Sequence, residues 1–298
     1  MLQQLTFIAE SILFMNKEPK YYIKIAVRNF LLCLFPLSSI GQTGTYEIFA
    51  IQFSDGWNPL SSEIAVGAKT DVSLQGCSMV WLLKGKQGKL ILVDAGFTDT
   101  TQYPQTSSYV RPDIALQKLN IKAGDITDII LTHPHWDHIG GIDLFPNAMI
   151  WIQKEDYNYF VGEAWQTNGF SKGFNKNDVP KLLHKNLDKK LTLVNGDSIE
   201  ILPGIRVFTG SKHTYESQFV LINGVSQKTI IASDNVWFYY NLEHLLPIPT
   251  FTFDPVAYVN SMKRMRLLVP NTKFIIPGHD KIVFSKFPKV SDGIAKIE

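Results

Sequence analysis

Cysteine is almost missing from this chain: among 298 residues only positions 33 and 77 carry it. One conceivable pair cannot build a disulfide framework, and two thiols are too few for an all-cysteine zinc site. An excess of charge of one sign is missing too. Lys and Arg number 29 against 27 Asp and Glu, and residues 1–41 hold four of the basic side chains (Lys17, Lys20, Lys24, Arg28) and two of the acidic ones (Glu10, Glu18). Residues 42–298 are therefore formally neutral, so nucleic acid is not an expected partner. The apolar stretch at residues 30–37 is too short for a membrane span, which needs about 20 residues. Histidine is sparse, seven in all, and that makes its distribution informative.

Basic residues, a short apolar stretch, then Ser39-Ile40-Gly41 is the layout of a secretory signal. Cleavage before Gln42 and export to a periplasm or the extracellular space are expected. A start at Met15 would make the signal more conventional, with residues 1–14 as an upstream extension. Cys33 would leave with it. Residues 42–298 are expected to form a single domain, since 45% apolar and 12% aromatic content supplies ample core. Strand-like segments at residues 46–53, 78–83, 89–93, 148–152 and 219–222 alternate with helical patterns at 112–119, 154–160 and 255–268. The turn Asn223-Gly224 pairs the last of those strands with the one that ends at Asp234. Periodicity therefore predicts a mixed α/β domain without a linker.

Four of the side chains able to bind metal crowd into Thr132-His133-Pro134-His135-Trp136-Asp137-His138-Ile139-Gly140-Gly141. The run 127–132 before them is apolar and β-branched, so His133 and His135 leave the end of a buried strand and, two apart, can point the same way. Neutral imidazole suits a borderline ion such as zinc, and a carboxylate adds compensating charge. Asp137 and His138 are adjacent where the chain must turn, point in different directions, and could serve a second ion.

This motif resembles the His-x-His-x-Asp-His signature of the metallo-β-lactamase-fold hydrolases. Later strands offer the remaining family positions: 205–210 runs into His213, 228–233 into Asp234, and 273–277 into Gly278-His279-Asp280. The resemblance implies a four-layer αββα sandwich holding two divalent ions, with zinc expected. His133, His135 and His213 would hold one ion, Asp137, His138 and His279 the other, and Asp234 would bridge them. Asp94 would support the site from behind, or else merely cap its turn. His184 and His244 are left over. The resemblance further implies hydrolysis by a hydroxide shared between the ions, with Asp137 and Asp234 as the catalytic carboxylates. Asp234 and His138 argue against β-lactam hydrolysis, and the acyl-homoserine lactonase branch fits best, with a small lactone or similar ester as partner. A phosphotriester or other ester substrate and a non-catalytic binding role are the alternatives; oligomeric state is not readable.

Trp237 departs from the branch, which commonly places a tyrosine there to assist the substrate carbonyl; an indole donates one hydrogen bond but is no comparable acid. Trp237, Tyr239 and Tyr240 are expected to line the pocket, with Tyr239 or Tyr240 taking over the phenol's role. Residues 161–190, with six lysines among Trp165, Phe170 and Phe174, read either as a lid or as a solvated helix with its approach loop. Cys77 is expected to be a small buried residue remote from the motifs.

Overall fold

The alternation along two neighbouring strands already defines three layers. In β1 (Glu47–Asp55) and β2 (Cys77–Lys84) nearly every position is buried, because the sheet is covered on both faces. Ile48, Ala50, Met79, Trp81 and Leu83 enter one core, shared with Val207, Phe219 and Ile230 of a second sheet. Phe49, Ile51, Phe53, Val80 and Leu82 point the other way, into a core made with helical residues such as Leu116, Phe160 and Leu182. Period-2 alternation thus sends successive residues to different layers. Each such large apolar side chain contributes about 1.5–3 kcal/mol on burial.

The computed structural model describes residues 44–102 and 108–298; the export signal read over residues 1–41 lies outside them. Further strands are β3 (Leu90–Val93), β4 (Asp128–Ile130), β5 (Met149–Gln153), β6 (Leu191–Val194), β7 (Ile199–Leu202), β8 (Ile205–Thr209), β9 (Gln218–Asn223), β10 (Lys228–Ser233), β11 (Ile275–Pro277), β12 (Lys289–Ser291) and β13 (Ile294–Lys296). The α-helices are α1 (Ser61–Ile64), α2 (Pro112–Leu116), α3 (Trp136–Ile139), α4 (Lys154–Val161), α5 (Asp178–Leu187), α6 (Tyr239–His244), α7 (Pro255–Leu268) and α8 (Val283–Lys286). One sheet runs β12-β13-β1-β2-β3-β4-β5-β6 and the other β11-β10-β9-β8-β7. Tyr258, Met262 and Met265 of α7 join the core of the second sheet and supply the fourth layer, completing the αββα sandwich. Pro255 opens α7 at a position where its missing N–H costs nothing, and the Asp254 side chain accepts from the Val256 and Ala257 amides. Among the described residues no helix is long and apolar enough to cross a membrane.

Strands β3 to β6 are parallel. In the second sheet β8 is antiparallel to β9 and β9 to β10, while β11 is parallel to β10, so β8, β10 and β11 all point one way. The sheets are tied where β4 and β9 meet: Gln218 donates its amide to Thr132 O at 2.9 Å and its side-chain Nε2 to Leu131 O at 2.7 Å. The loops after β3, β4, β8, β10 and β11 gather along this seam, at the carboxyl ends of strands, where open α/β sheets place their sites.

Candidate metal centre

Seven ligand-type side chains converge at the seam and fall into two groups, His133, His135, His213 and Asp234, and Asp137, His138 and His279. Within each group the ligand atoms lie within 4.8 Å of one another. His135 Nδ1 is 3.0 Å from both His133 Nε2 and His213 Nε2. Burial, together with the neighbouring imidazoles, pushes His133 and His135 well below the ordinary histidine range, so they are neutral, the form in which imidazole binds a metal. His138 Nε2 and Asp234 Oδ1, both buried, have no hydrogen-bond partner. A buried unsatisfied polar atom is costly, and two aimed into one cluster are what a metal site needs. The donor set therefore fits two divalent ions.

The outer nitrogens fix which atoms face inward. His138 Nδ1 donates to Asp94 Oδ2 at 2.8 Å and His279 Nδ1 to the Cys77 carbonyl at 3.1 Å. His133 Nδ1 lies 2.9 Å from the Thr132 hydroxyl. Cys77 is thus not remote from the motifs: its thiol is buried, with burial pushing its pKa up, but its backbone orients a site histidine. Asp94, fully buried, also accepts from the Thr132 amide (2.8 Å), the Thr132 hydroxyl (2.9 Å) and the Ser233 hydroxyl (2.8 Å). It supports His138 and fixes the turn after β4, which joins the two readings of its role.

Burial alone would discourage charge here, yet the mixed-sign cluster overrides it. His279 and His138 hold Asp234 well below the usual carboxylate range, and His138 and His279 likewise lower Asp137. Conversely, Asp137, Asp234 and Asp94 raise His138 well above its ordinary value, and Asp234 raises His279. Metal uptake at the second group therefore competes with protons.

Three non-glycine residues beside the site have left-handed backbone: Asp94 (φ 61°), Lys212 (φ 53°) and Ser233 (φ 47°). Each turns the chain at or just beyond the end of a strand, at a cost of about 1–3 kcal/mol, and hydrogen bonds such as those to Asp94 offset it. Gly278 is needed for another reason. A Cβ there would stand 2.2 Å from Asp234 Oδ1. Gly278→Ala should leave the sandwich folded but push Asp234 aside and lower turnover about 10²-fold; kinetics of the metal-loaded variant, with circular dichroism for the fold, check this.

The loop that carries His213 is anchored on Asp156 of α4, which accepts from the Thr214 hydroxyl at 2.7 Å and the Glu216 amide at 3.1 Å. Burial lifts the Asp156 carboxyl to about 7 despite those bonds. The folded state therefore holds a proton that the unfolded chain releases near pH 4, and stability falls as pH rises from about 4 toward 7. Asp156→Asn should remove this slope. Melting temperatures between pH 5 and 8 should shift in the variant's favour as pH rises, whereas a constant gap would contradict the account.

A cavity of about 580 Å³ opens onto the site, walled by Trp57, Ile64, Trp136, Trp237 and Phe251 and floored by Asp137, Asp234, His135 and His279. Of the three aromatic residues expected there, only Trp237 lines it. Tyr239 is buried with its hydroxyl on Lys273 O at 2.7 Å, and Tyr240 packs against His244 with ring centroids 4.3 Å apart. Neither tyrosine is among the residues that line the cavity. His184 and His244 belong to neither ligand group. In the 161–190 segment α5 is a surface helix, and of the residues read as a lid none of the aromatics Trp165, Phe170 and Phe174 lines the cavity; only Gly173 enters its wall, accepting from the Trp136 amide at 2.9 Å. Gly173 has φ +86°, and a Cβ there would lie 2.6 Å from the His135 ring. Trp57, Phe251 and Gly173 were not legible as site residues; a glycine-rich, aromatic segment was the one signal for the last.

A split dinuclear donor set at the meeting edge of an αββα sandwich defines a class, and the chain belongs to the metallo-β-lactamase superfamily, whose family model matches residues 76–279. Within it, the chain is similar to an N-acyl homoserine lactonase of Bacillus cereus, 28% identical over an alignment of 224 positions that covers 67% of this chain and 81% of the relative. Among solved structures it is similar to a quorum-quenching N-acyl homoserine lactone lactonase, with TM-score 0.66 and 23% identity over 85% of this chain and 98% of that one. It is also similar to AidC, a dizinc quorum-quenching lactonase, with TM-score 0.60 and 21% identity over 86% and 97%.

Proposed function

We propose that this chain opens the lactone ring of N-acyl homoserine lactones by metal-dependent hydrolysis, and that it does so with zinc. The observation that carries this reading is the opening of the two ligand groups onto an aromatic-walled cavity. His133, His135 and His213 would hold one ion, Asp137, His138 and His279 the other, with Asp234 offering one oxygen to each. Bound there, two divalent ions would supply polarisation of the ester carbonyl and a water made nucleophilic near neutral pH. The chain's residues do the rest. Trp57, Trp136 and Phe251 take the apolar acyl chain and exclude water from it. Asp137, whose side chain is 15% exposed, stands at the cavity floor, where its ionised carboxylate can take the proton that the attacking water gives up and pass it to the alkoxide that leaves when the ring opens.

The export signal read over residues 1–41 belongs to the same proposal: the N-terminus of protein recovered from the periplasm or medium should be Gln42. Activity is tested by pH-stat titration of the zinc-loaded protein against short- and long-chain acyl-homoserine lactones, an aryl phosphotriester and a simple thioester. Lactone opening that far exceeds the others is the expected result. Preference for the phosphotriester would keep the metal centre and discard the substrate.

A further inference from the structure

We infer that Trp237 is a positioning residue for the carboxylate between the two ligand groups, its indole N–H fixing the plane of Asp234 so that a second ion is retained. The inference rests on the two-ion reading of the site and concerns a residue that this reading leaves as a wall of the cavity.

The two oxygens of Asp234 are not equivalent. Oδ2 lies 3.3 Å from His213 Nε2 and 3.9 Å from His133 Nε2, and so faces the first group. Oδ1 lies 3.0 Å from His279 Nε2 and 3.4 Å from His138 Nε2, and so faces the second. His279 Nε2, at 3.2 Å from Oδ2, is close to both. A carboxylate that serves two ions must keep this plane, yet the terminal torsion of Asp is broad and two-fold. Apart from the surrounding imidazoles, the donor that holds the carboxylate is Trp237 Nε1, at 2.9 Å from Oδ2.

That donor is itself held. The Trp237 carbonyl accepts from the His279 amide at 3.0 Å, and its ring meets Trp57 edge-on with centroids 6.1 Å apart and Phe251 at 5.9 Å. An indole is a donor only, and an ionised carboxylate has about four lone-pair sites. The bond therefore orients Asp234 without using up its capacity for metal. Oδ1, which has no hydrogen-bond partner, is left whole for the second group.

The test is Trp237→Phe in the full metal-loaded chain, which keeps an aromatic ring in the wall and removes the N–H. Zinc is counted after dialysis against a chelator of moderate strength, and stepwise affinities are read by titration. The parent should retain two ions; the variant should retain one, with the second bound about 10–100-fold more weakly. Glu63→Gln, which alters an exposed residue of the same cavity whose side chain accepts from the Leu60 amide and does not touch Asp234, should retain two ions. Trp237→Met repeats the test should the Phe variant fold poorly. Two ions held with parental affinity in a folded variant would overturn the inference. Metal counting needs no substrate: a parent inactive on lactones with this same loss of the second ion would dismiss the substrate and keep Trp237, whereas a parent that binds one ion would sink both.

Discussion

Asp137→Asn should lower lactone turnover by about 10²–10⁴-fold while the chain stays folded. Asp137 sits in the first turn of α3, and its Oδ2 lies 3.5 Å from His138 Nε2 and 3.6 Å from His279 Nε2. Its neighbours are other members of the site rather than the core, so the amide disturbs no packing. The substitution removes negative charge from the second ligand group and the proton carrier from the cavity floor. Comparing kcat with metal content per chain separates the two: full loading with low kcat points to the proton step, and parallel loss of both points to binding. Unchanged kcat in a loaded variant would remove Asp137 from the chemistry.

Asp94→Asn has the second-largest expected effect, although Asp94 is not among the ligands. Its carboxylate receives the Thr132 amide, two hydroxyls and the His138 ring N–H. An amide replaces one accepting oxygen with an NH₂ group that opposes these donors. Each buried donor left without a partner costs about 1–3 kcal/mol, which lowers the melting temperature by roughly 5 °C in a domain of this size. His138 also loses the bond that turns Nε2 inward, and metal affinity should fall about 10–100-fold. Scanning calorimetry and chelator competition read these effects independently; weakened binding without lost stability would place Asp94 at the metal alone.

How far the sequence could be read depends on the range of the interactions involved. The His133 to His138 cluster was legible because a buried strand and its ligands are contiguous, and α7 emerged with its observed bounds because Asp254 and Pro255 mark its start. Strands β6, β7, β12 and β13 were not legible: they are three or four residues long, and β7 and β12 are largely exposed, so no clean alternation marks them. The aromatic run at 237–240 misled for a geometric reason. Consecutive residues entering a helix point in different directions, so Trp237 reaches the cavity, Phe238 packs with Ile64, Tyr239 enters the core and Tyr240 turns to His244. The links from Gly173 to His135 and from Cys77 to His279 join residues far apart in the chain, and nothing local announces them.

The ligands reach the seam from both halves of the sandwich: the β4 turn brings His133, His135, Asp137 and His138 from one sheet, while His213, Asp234 and His279 come after strands of the other. A bound pair of ions is therefore a clasp across the central interface as well as a reagent. Occupancy at a thousand times Kd adds about 4 kcal/mol to the folded state, a large share of a domain's usual margin. Chains without their ions are therefore the more easily opened at this seam, and the ions that serve the reaction also hold the two sheets together.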